Sequence, residues 1–469
     1  MTDEHPIGRL PVIIFYTLMV ALAGLMFFFI RQTGEQLQAP AAPSAAPSAV
    51  GGAQSINTLF HVLLALAVII ITARAMGALF AYINQPPVVG EVVGGIMLGP
   101  SLLGRFAPGL FAELLPRSVA PFLGIHAQLG VILYMFLVGL ELDTRVIRKS
   151  GHATIAISHA SIIVPFLLGS GLALVLYPLV SSSAVRFTVF ALFLGVSMSI
   201  TAFPVLARIL TDRKISRTRM GAIALTCAAV DDVTAWCLLA LVVGIAQARA
   251  ADAARTVLLT IAFIAFVLAA VMPLVHRVLP RFDRAPQLSR TGLAIIFVAM
   301  LGSAMVTEYI GIHGIFGAFL FGAIIPSSTR IAHDLNERLE DLIAVIFLPA
   351  FFAYTGLRTE IGLISGVQNW ALCGVIILVA CVGKFGGTIA AARLTGLKWR
   401  DSAALGVLMN TRGLVELIVL NIGLDLQVIS PRLFTMLVLM ALVTTFMTTP
   451  ILHLIVRKHP WVEVERVPA

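Results

Sequence analysis

Asp231 and Asp232 stand side by side in Ala228-Ala229-Val230-Asp231-Asp232-Val233, at the middle of an apolar stretch covering 217–246. A charge at the centre of a lipid-spanning helix costs roughly 2.5–3.5 kcal/mol. The unpaired pair would therefore cost about 5–7 kcal/mol, on the scale of a typical domain's whole stability of about 5–15 kcal/mol. Carboxylates in that position require a cation, a proton or water. Neighbours on a helix point about 100° apart, so the two acids must meet different partners: one a hydrated cavity, the other a fixed positive charge. Lys384, in Val382-Gly383-Lys384-Phe385-Gly386-Gly387, is the candidate for that charge, eight residues from the end of an apolar span at 370–392. A lysine–carboxylate pair in such a setting is suited to carrying a proton. The competing readings are a buried salt bridge that only packs, and a lysine that snorkels to the interface.

Two further apolar spans carry interruptions. In 186–211, Ser197-Met198-Ser199-Ile200-Thr201-Ala202-Phe203-Pro204 places hydroxyls and a proline at mid-span. In 402–423, Met409-Asn410-Thr411-Arg412-Gly413 does so with an amide, a hydroxyl and a glycine. Proline removes a helical hydrogen bond. Interrupted segments at corresponding places in two halves of a chain point to a midplane binding site. The first precedes the Asp pair and the second follows Lys384, an order expected of an inverted repeat. An ordinary proline kink and a polar packing patch are the alternatives. Arg412 and Glu416, four apart, are placed to pair with each other, and Arg412 is also placed to balance the half-helix ends. Glu91 lies near the start of a span, where a structural role is as good a reading as transport. His126, His159, His276, His313 and His453 occur singly and no HExxH is present.

These residues must be positioned by helices. Of 469 residues, 59% are hydrophobic and 12% charged, against about 25% charged in soluble domains; mean hydropathy is +1.00. That composition excludes a soluble enzyme, a nucleic-acid-binding domain and a disordered chain. Lipid offers no partner for an open strand edge, so long apolar runs are helical. Thirteen spans are expected at about 57–83, 87–103, 120–143, 152–178, 186–211, 217–246, 256–279, 291–308, 312–327, 340–357, 370–392, 402–423 and 432–456. An additional run at 11–30 exceeds a signal core in length and reads as a retained or signal-anchor helix. The Ala/Pro/Ser segment that follows, 31–56, reads as a flexible linker.

The net charge of +9 falls mainly in alternate loops: Arg145, Arg148 and Lys149; Arg213, Lys214, Arg217 and Arg219; Arg277, Arg281, Arg284 and Arg290; Arg393, Lys398 and Arg400; Arg457 and Lys458. The positive-inside rule places these loops and the 457–469 tail in the cytoplasm, with the linker external. No Walker motif or GxGxxG unit occurs, so transport work is expected to come from an ion gradient or a partner subunit. Cys227, Cys237, Cys373 and Cys381 lack metal or redox spacing and read as packing residues.

The chain resembles the monovalent cation:proton antiporter-2 family of sodium/hydrogen and potassium/hydrogen exchangers over about residues 57–456. The motifs that carry the resemblance are Gln85-Pro86 with Gly90-Glu91 and Leu98-Gly99-Pro100-Ser101; Thr201-Ala202-Phe203-Pro204-Val205-Leu206-Ala207-Arg208; Asp231-Asp232; Val382-Gly383-Lys384; and Asn410-Thr411-Arg412-Gly413-Leu414-Val415-Glu416-Leu417. The resemblance implies an all-α polytopic membrane protein: a thirteen-helix antiporter fold with inverted repeats and two crossing broken helices, plus one extra N-terminal helix. It implies a homodimer, with a dimer domain at about 57–143 and 291–357, a moving core at about 152–246 and 370–456, and a linking helix at 256–279. It places cation and proton in competition at Asp232, pairs Asp231 with Lys384 as in electrogenic members, and puts Thr201 with the freed carbonyls in the cation site. Ser199, Pro204, Asn410, Thr411, Arg412 and Glu416 belong to the broken helices.

Many potassium-efflux relatives carry an amide where this chain has Asp231, so electrogenic exchange is expected. The nucleotide-binding domain of gated potassium-efflux relatives and the long tail of plant exchangers have no counterpart here, and gating by their ligands is not expected. The expected partners are a monovalent cation, the proton and membrane lipid in a bacterial-type inner or plasma membrane, with no nucleic acid, no cofactor, no enzymatic activity and no other metal. A channel or uniporter would need a filter sequence that is missing. An aspartyl protease would need its carboxylates on separate helices. A symporter on the same fold is left open by spacing alone.

Overall fold

The computed structural model describes residues 9–40, 58–116, 118–141, 152–213, 215, 218–247, 253–283 and 289–456. Most of the linker, the basic residues Arg145, Arg148, Lys149, Lys214, Arg217 and Arg284, and the 457–469 tail lie outside them. The regular structure among the described residues is helical. Helix α1 is Arg9–Gly34, α2 Thr58–Tyr82, α3 Pro87–Leu98 and α4 Ala120–Glu141. Next come α5 His152–Val180, α6 Phe187–Ser199, α7 Phe203–Asp212 and α8 Arg219–Gln247. The middle of the chain holds α9 Ala253–Phe266, α10 Met272–Asp283, α11 Arg290–Ile310, α12 Gly314–Ala323, α13 Arg330–Leu342 and α14 Leu348–Arg358. Finally come α15 Gly366–Leu394, α16 Trp399–Met409, α17 Leu414–Asp425 and α18 Pro431–Val456.

Among the described residues, twelve helical segments are long and apolar enough to cross a membrane, with α6 and α7 counted as one. The pair α16 and α17, bent by 45°, adds another, and the short apolar α12 one more. Counted with those two, thirteen apolar segments among the described residues follow the linker and one precedes it. Several boundaries differ from expectation: α1 runs on to Gly34, into the segment expected as linker, and α3 ends at Leu98. The span expected at 340–357 begins at Arg330, because the charged stretch Arg330–Leu342 forms an amphipathic helix that buries Ile331, Ala332, Leu335 and Leu339. Its charges read as loop in a hydropathy scan, while the Thr329 hydroxyl caps its start by accepting from the Ala332 amide. A π-helical turn, Ile343–Phe347, joins α13 to α14. The span expected at 312–327 is only Gly314–Ala323, preceded by the left-handed cap Gly311 (φ 96°).

Packing sorts the helices into two groups. Helix α5 lies along α15, α6 and α8, while α15 also packs on α16 and α18. In the other group α4 packs on α12 and α14, α2 on α3, α3 on α14, and α11 on α12. The first group has the same order twice: helix, broken span, helix (α5, α6–α7, α8; then α15, α16–α17, α18). The two triplets enter the membrane from opposite sides by span count, which is the inverted repeat.

Helix α1 joins the first group, along α5 and α6. Tyr16 meets His159 edge to face at 5.2 Å, and Phe27 meets Phe166 at 5.9 Å. Past the end of α1, the Thr188 hydroxyl donates to Glu35 Oε1 at 3.0 Å, and the Ser183 amide to the Pro40 carbonyl at 2.8 Å. The Arg31 guanidinium and the Thr188 hydroxyl together hold the Glu35 carboxyl below its usual value.

Candidate functional site

The two breaks meet at the centre of the first group. Helix α6 ends at Ser199, and the chain runs extended through Ile200 (φ −68°, ψ 139°) and Ala202 (φ −88°, ψ 95°) before α7. The break is upstream of Pro204, which occupies the first turn of α7. A missing N–H costs nothing there, so the proline starts the second half-helix rather than breaking the first. Ser199 closes α6, its hydroxyl donating to the Val196 carbonyl at 2.8 Å. In the second span α16 ends at Met409, Asn410 caps it, and the extended Gly413 (φ 173°) leads into α17. The Ala202 amide donates to the Thr411 carbonyl at 2.9 Å, tying one break to the other.

Arg412 serves both breaks. It is fully buried. Nη1 donates to the Ser197 carbonyl at 2.7 Å and to Glu416 Oε2 at 2.9 Å; Nη2 donates to the Met198 carbonyl at 2.6 Å. A cation thus occupies the carbonyl end of α6, while Glu416 lies in the first turn of α17. Each charge has the sign its helix end favours. One side chain thus contacts both Glu416 and the carbonyl end of α6. The Arg412 backbone is held as well, by Thr445 Oγ1, which accepts from its amide at 3.0 Å and donates to its carbonyl at 2.8 Å. Asn410 Nδ2 reaches Cys381 Sγ at 3.7 Å, while the Thr411 hydroxyl is buried without a partner among the described residues.

The acid pair divides as the helical offset requires. Asp231 is fully buried. Its Oδ1 accepts from the Ser158 hydroxyl at 2.5 Å, and its Oδ2 from Ser161 at 2.6 Å and Thr201 at 2.8 Å. Lys384 Nζ stands 3.5 Å from Oδ2 and donates to Thr201 Oγ1 at 2.6 Å. Thr201, expected in the cation site, lies between Lys384 and Asp231. Lys384 is fully buried and does not snorkel. Two close approaches bring it there. A Cβ at Gly383 would stand 2.8 Å from Pro165 Cα, and one at Gly387 2.8 Å from the Ala160 carbonyl. Only glycine lets α15 lie that near to α5 around the lysine.

Asp232 has a different setting. It is 2% exposed, and neither carboxylate oxygen has a hydrogen-bond partner among the described residues. The Phe203 amide, at the start of α7, lies beside it without completing a bond. An ionised carboxylate buried so is unstable unless something neutralises it, and the amino end of α7 favours negative charge there.

Glu91 lies away from this centre and pairs with Arg74 at 3.8 Å in the α2–α3 hairpin. Nearer the chain's other face, α14 is tied to α17. Asn421 Nδ2 donates to Thr355 Oγ1 at 2.8 Å, and Arg358 Nη1 donates to Asn421 Oδ1 at 3.0 Å. Arg358 also pairs with Asp425 and lies over the Tyr354 ring, 4.7 Å from its centroid. Sequence reasoning missed this cluster, because its members are far apart in the chain. It also missed Ser158 and Ser161, whose spacing on one helical face, opposite a charged pair, was the available signal.

A sequence profile described as sodium/hydrogen exchanger, transmembrane, matches residues 65–458. Na(+)/H(+) antiporter NhaS4 of Synechocystis sp. is 44% identical over 406 residues, covering 86% of this chain and 98% of that protein. K(+)/H(+) antiporter 1 of Saccharomyces cerevisiae is 36% identical over 387 residues, 80% of this chain but 44% of its own length. The structure of the sodium proton antiporter MjNhaP1 from Methanocaldococcus jannaschii at pH 8 superposes with a TM-score of 0.63 at 11% identity, covering 84% of this chain and 98% of that one.

Proposed function

The chain belongs to the sodium/hydrogen exchanger family, and from that premise we propose that Asp232 is the carboxylate at which it exchanges a monovalent cation for a proton. It is a multi-pass membrane antiporter and not an enzyme. The observation that carries the role of Asp232 is the contrast between neighbours: four donors surround Asp231, and neither carboxylate oxygen of Asp232 has a hydrogen-bond partner among the described residues. A buried carboxylate in that state takes either a cation or a proton. The two compete for one site, and competition alone couples their fluxes when the site faces each side of the membrane in turn.

We assign the remaining roles on the same reading. Helices α5–α8 and α15–α18, with α1, form the moving core. Helices α2–α4 and α11–α14 form the dimer domain of a homodimer, and α9–α10 link the two. The basic loops and the C-terminus face the cytoplasm, in a bacterial-type inner or plasma membrane. The Asp231–Lys384 pair carries a second proton, so that each cycle moves one net charge. That charge is worth about 2.3 kcal/mol per 100 mV, equivalent to a concentration ratio of roughly 50.

The test is reconstitution in liposomes containing a pH dye, with Na⁺, K⁺ or Li⁺ added in turn. Wild type shows a cation-driven pH change that Asp232→Asn abolishes. Because protons compete, the apparent KM for the cation rises as pH falls. An imposed voltage changes the wild-type rate but not that of Lys384→Gln. Full exchange in Asp232→Asn, or a KM independent of pH, refutes the competition mechanism.

A further inference from the structure

Ser158 and Ser161 are three residues apart on α5, which places both hydroxyls on one helical face. Serine and threonine hydroxyls in spanning helices usually satisfy themselves on their own helix, four residues back. Thr226, Thr234 and Thr444 do so here, each donating to such a carbonyl at 2.8 Å. Ser158 and Ser161 instead donate across to Asp231, at 2.5 and 2.6 Å, and both are fully buried. An ionised carboxylate offers about four acceptor positions. The two serines, Thr201 and Lys384 supply four donors to Asp231. Three of these donors converge on Oδ2 and Ser158 holds Oδ1, which leaves at most one acceptor position, on Oδ1, so Asp231 is poorly placed to coordinate a dehydrated cation although its neighbour is exposed to one in the exchange reading.

We propose that Ser158 and Ser161 are positioning residues that keep Asp231 out of the cation's coordination shell, so that the exchange site presents one carboxylate instead of two. This rests on the assignment of Asp232 as the exchange carboxylate. Affinity of oxygen sites for cations rises with the number of charged ligands. A site with two carboxylates binds more tightly, releases more slowly and favours the smaller, more strongly charged-dense ion. The serines therefore set both the apparent affinity and the ion preference of the exchanger without touching the ion.

The test uses the full chain in the dye-loaded liposomes, comparing wild type, Ser158→Ala/Ser161→Ala, Ser158→Thr/Ser161→Thr and Asp232→Asn. Removing both hydroxyls is expected to lower the apparent cation KM by about tenfold, to lower turnover, and to shift preference towards Li⁺ and Na⁺ over K⁺. The threonine pair, which keeps the hydroxyls, restores wild-type KM and preference. A merely structural role would reduce yield and thermal stability and leave KM and preference where they were. An unchanged or raised KM in the alanine pair overturns the proposal, as does a threonine pair that behaves like the alanine pair. Should the double variant fail to fold, Ser158→Ala alone frees Oδ1 and carries the same KM test. Exchange surviving in Asp232→Asn would instead overturn the parent assignment, which separates the two failures.

Discussion

Replacing Arg412 is expected to harm the fold far more than neutralising its partner Glu416. Arg412→Met leaves Glu416 as a lone buried charge, which by itself costs about 3–5 kcal/mol. It also strands the Ser197 and Met198 carbonyls that Arg412 holds at 2.7 and 2.6 Å, at about 1–3 kcal/mol each. The total is about 5–11 kcal/mol. Glu416→Gln keeps an oxygen within reach of Nη1 and leaves the guanidinium on both carbonyls. The carbonyl end of α6 supplies the equivalent of about half a negative charge, so the loss is close to one charge-assisted hydrogen bond, about 1.5–3 kcal/mol. Arg412→Lys falls between, since a single ammonium cannot reach both carbonyls and Glu416 in the fork that a guanidinium provides. The assay is the midpoint of thermal unfolding in detergent, followed by size-exclusion recovery, for the three variants and wild type. The expected order of loss is Met, then Lys, then Gln. Equal losses in Arg412→Met and Glu416→Gln would refute capping of α6 as the main work of Arg412 and leave only the ion pair.

Three other outcomes are expected. Thr355→Cys/Asn421→Cys, bridged by a bifunctional thiol reagent with a reducible linker, replaces the 2.8 Å hydrogen bond between α14 and α17 with a covalent link; the bridge should arrest exchange and a reductant restore it, and undiminished exchange when cross-linked would show that these helices do not separate in the cycle. Tyr16→Cys/His159→Cys, bridged by a bifunctional thiol reagent, joins α1 to α5 where their rings lie 5.2 Å apart; because α1 is assigned to the moving core, this cross-link should leave the exchange rate within about twofold of wild type, a small change on the scale of 1.4 kcal/mol per tenfold, and arrest would place α1 with the stationary part. Gly356→Ala puts a Cβ 2.1 Å from the Gly95 carbonyl carbon; the forced separation of α3 and α14 should cost about 1–3 kcal/mol, seen as a lower unfolding midpoint, and an unchanged midpoint would show that this contact gives way freely.

Most of the helices were legible in the sequence because lipid-spanning runs must be both apolar and long, and the interrupted spans were legible because polar residues at mid-span are costly. The boundaries failed where hydropathy is the wrong signal. Arg330–Leu342 is polar in composition but buries Ile331, Ala332, Leu335 and Leu339 along one face. The cause of the first break was misread for a related reason: Pro204 is conspicuous, yet a proline in the first turn is tolerated, and the chain has already left the helix at Ile200. Asp231, Asp232 and Lys384 declared themselves as single residues. The Arg358–Asp425–Asn421–Thr355 cluster could not, since each member is unremarkable alone and only the fold brings α14 to α17.

The centre of the molecule holds several charged groups that lipid would reject, and those other than Asp232 are paired with one another. Arg412 answers Glu416 and two carbonyls, and Lys384 answers Thr201 and Asp231. Ser158 and Ser161 complete Asp231. Closed networks of this kind are rigid, because moving any member leaves a buried donor or acceptor unpaired. Rigidity here has a use. A carboxylate that must accept a cation and then a proton, without a rearrangement of its surroundings each time, needs neighbours that do not compete for it. Asp232 has that freedom because the side-chain donors Ser158, Ser161, Thr201 and Lys384 are directed at Asp231. The sequence places two identical side chains next to each other, and the helical offset gives one a fixed set of partners and leaves the other without a hydrogen-bond partner among the described residues.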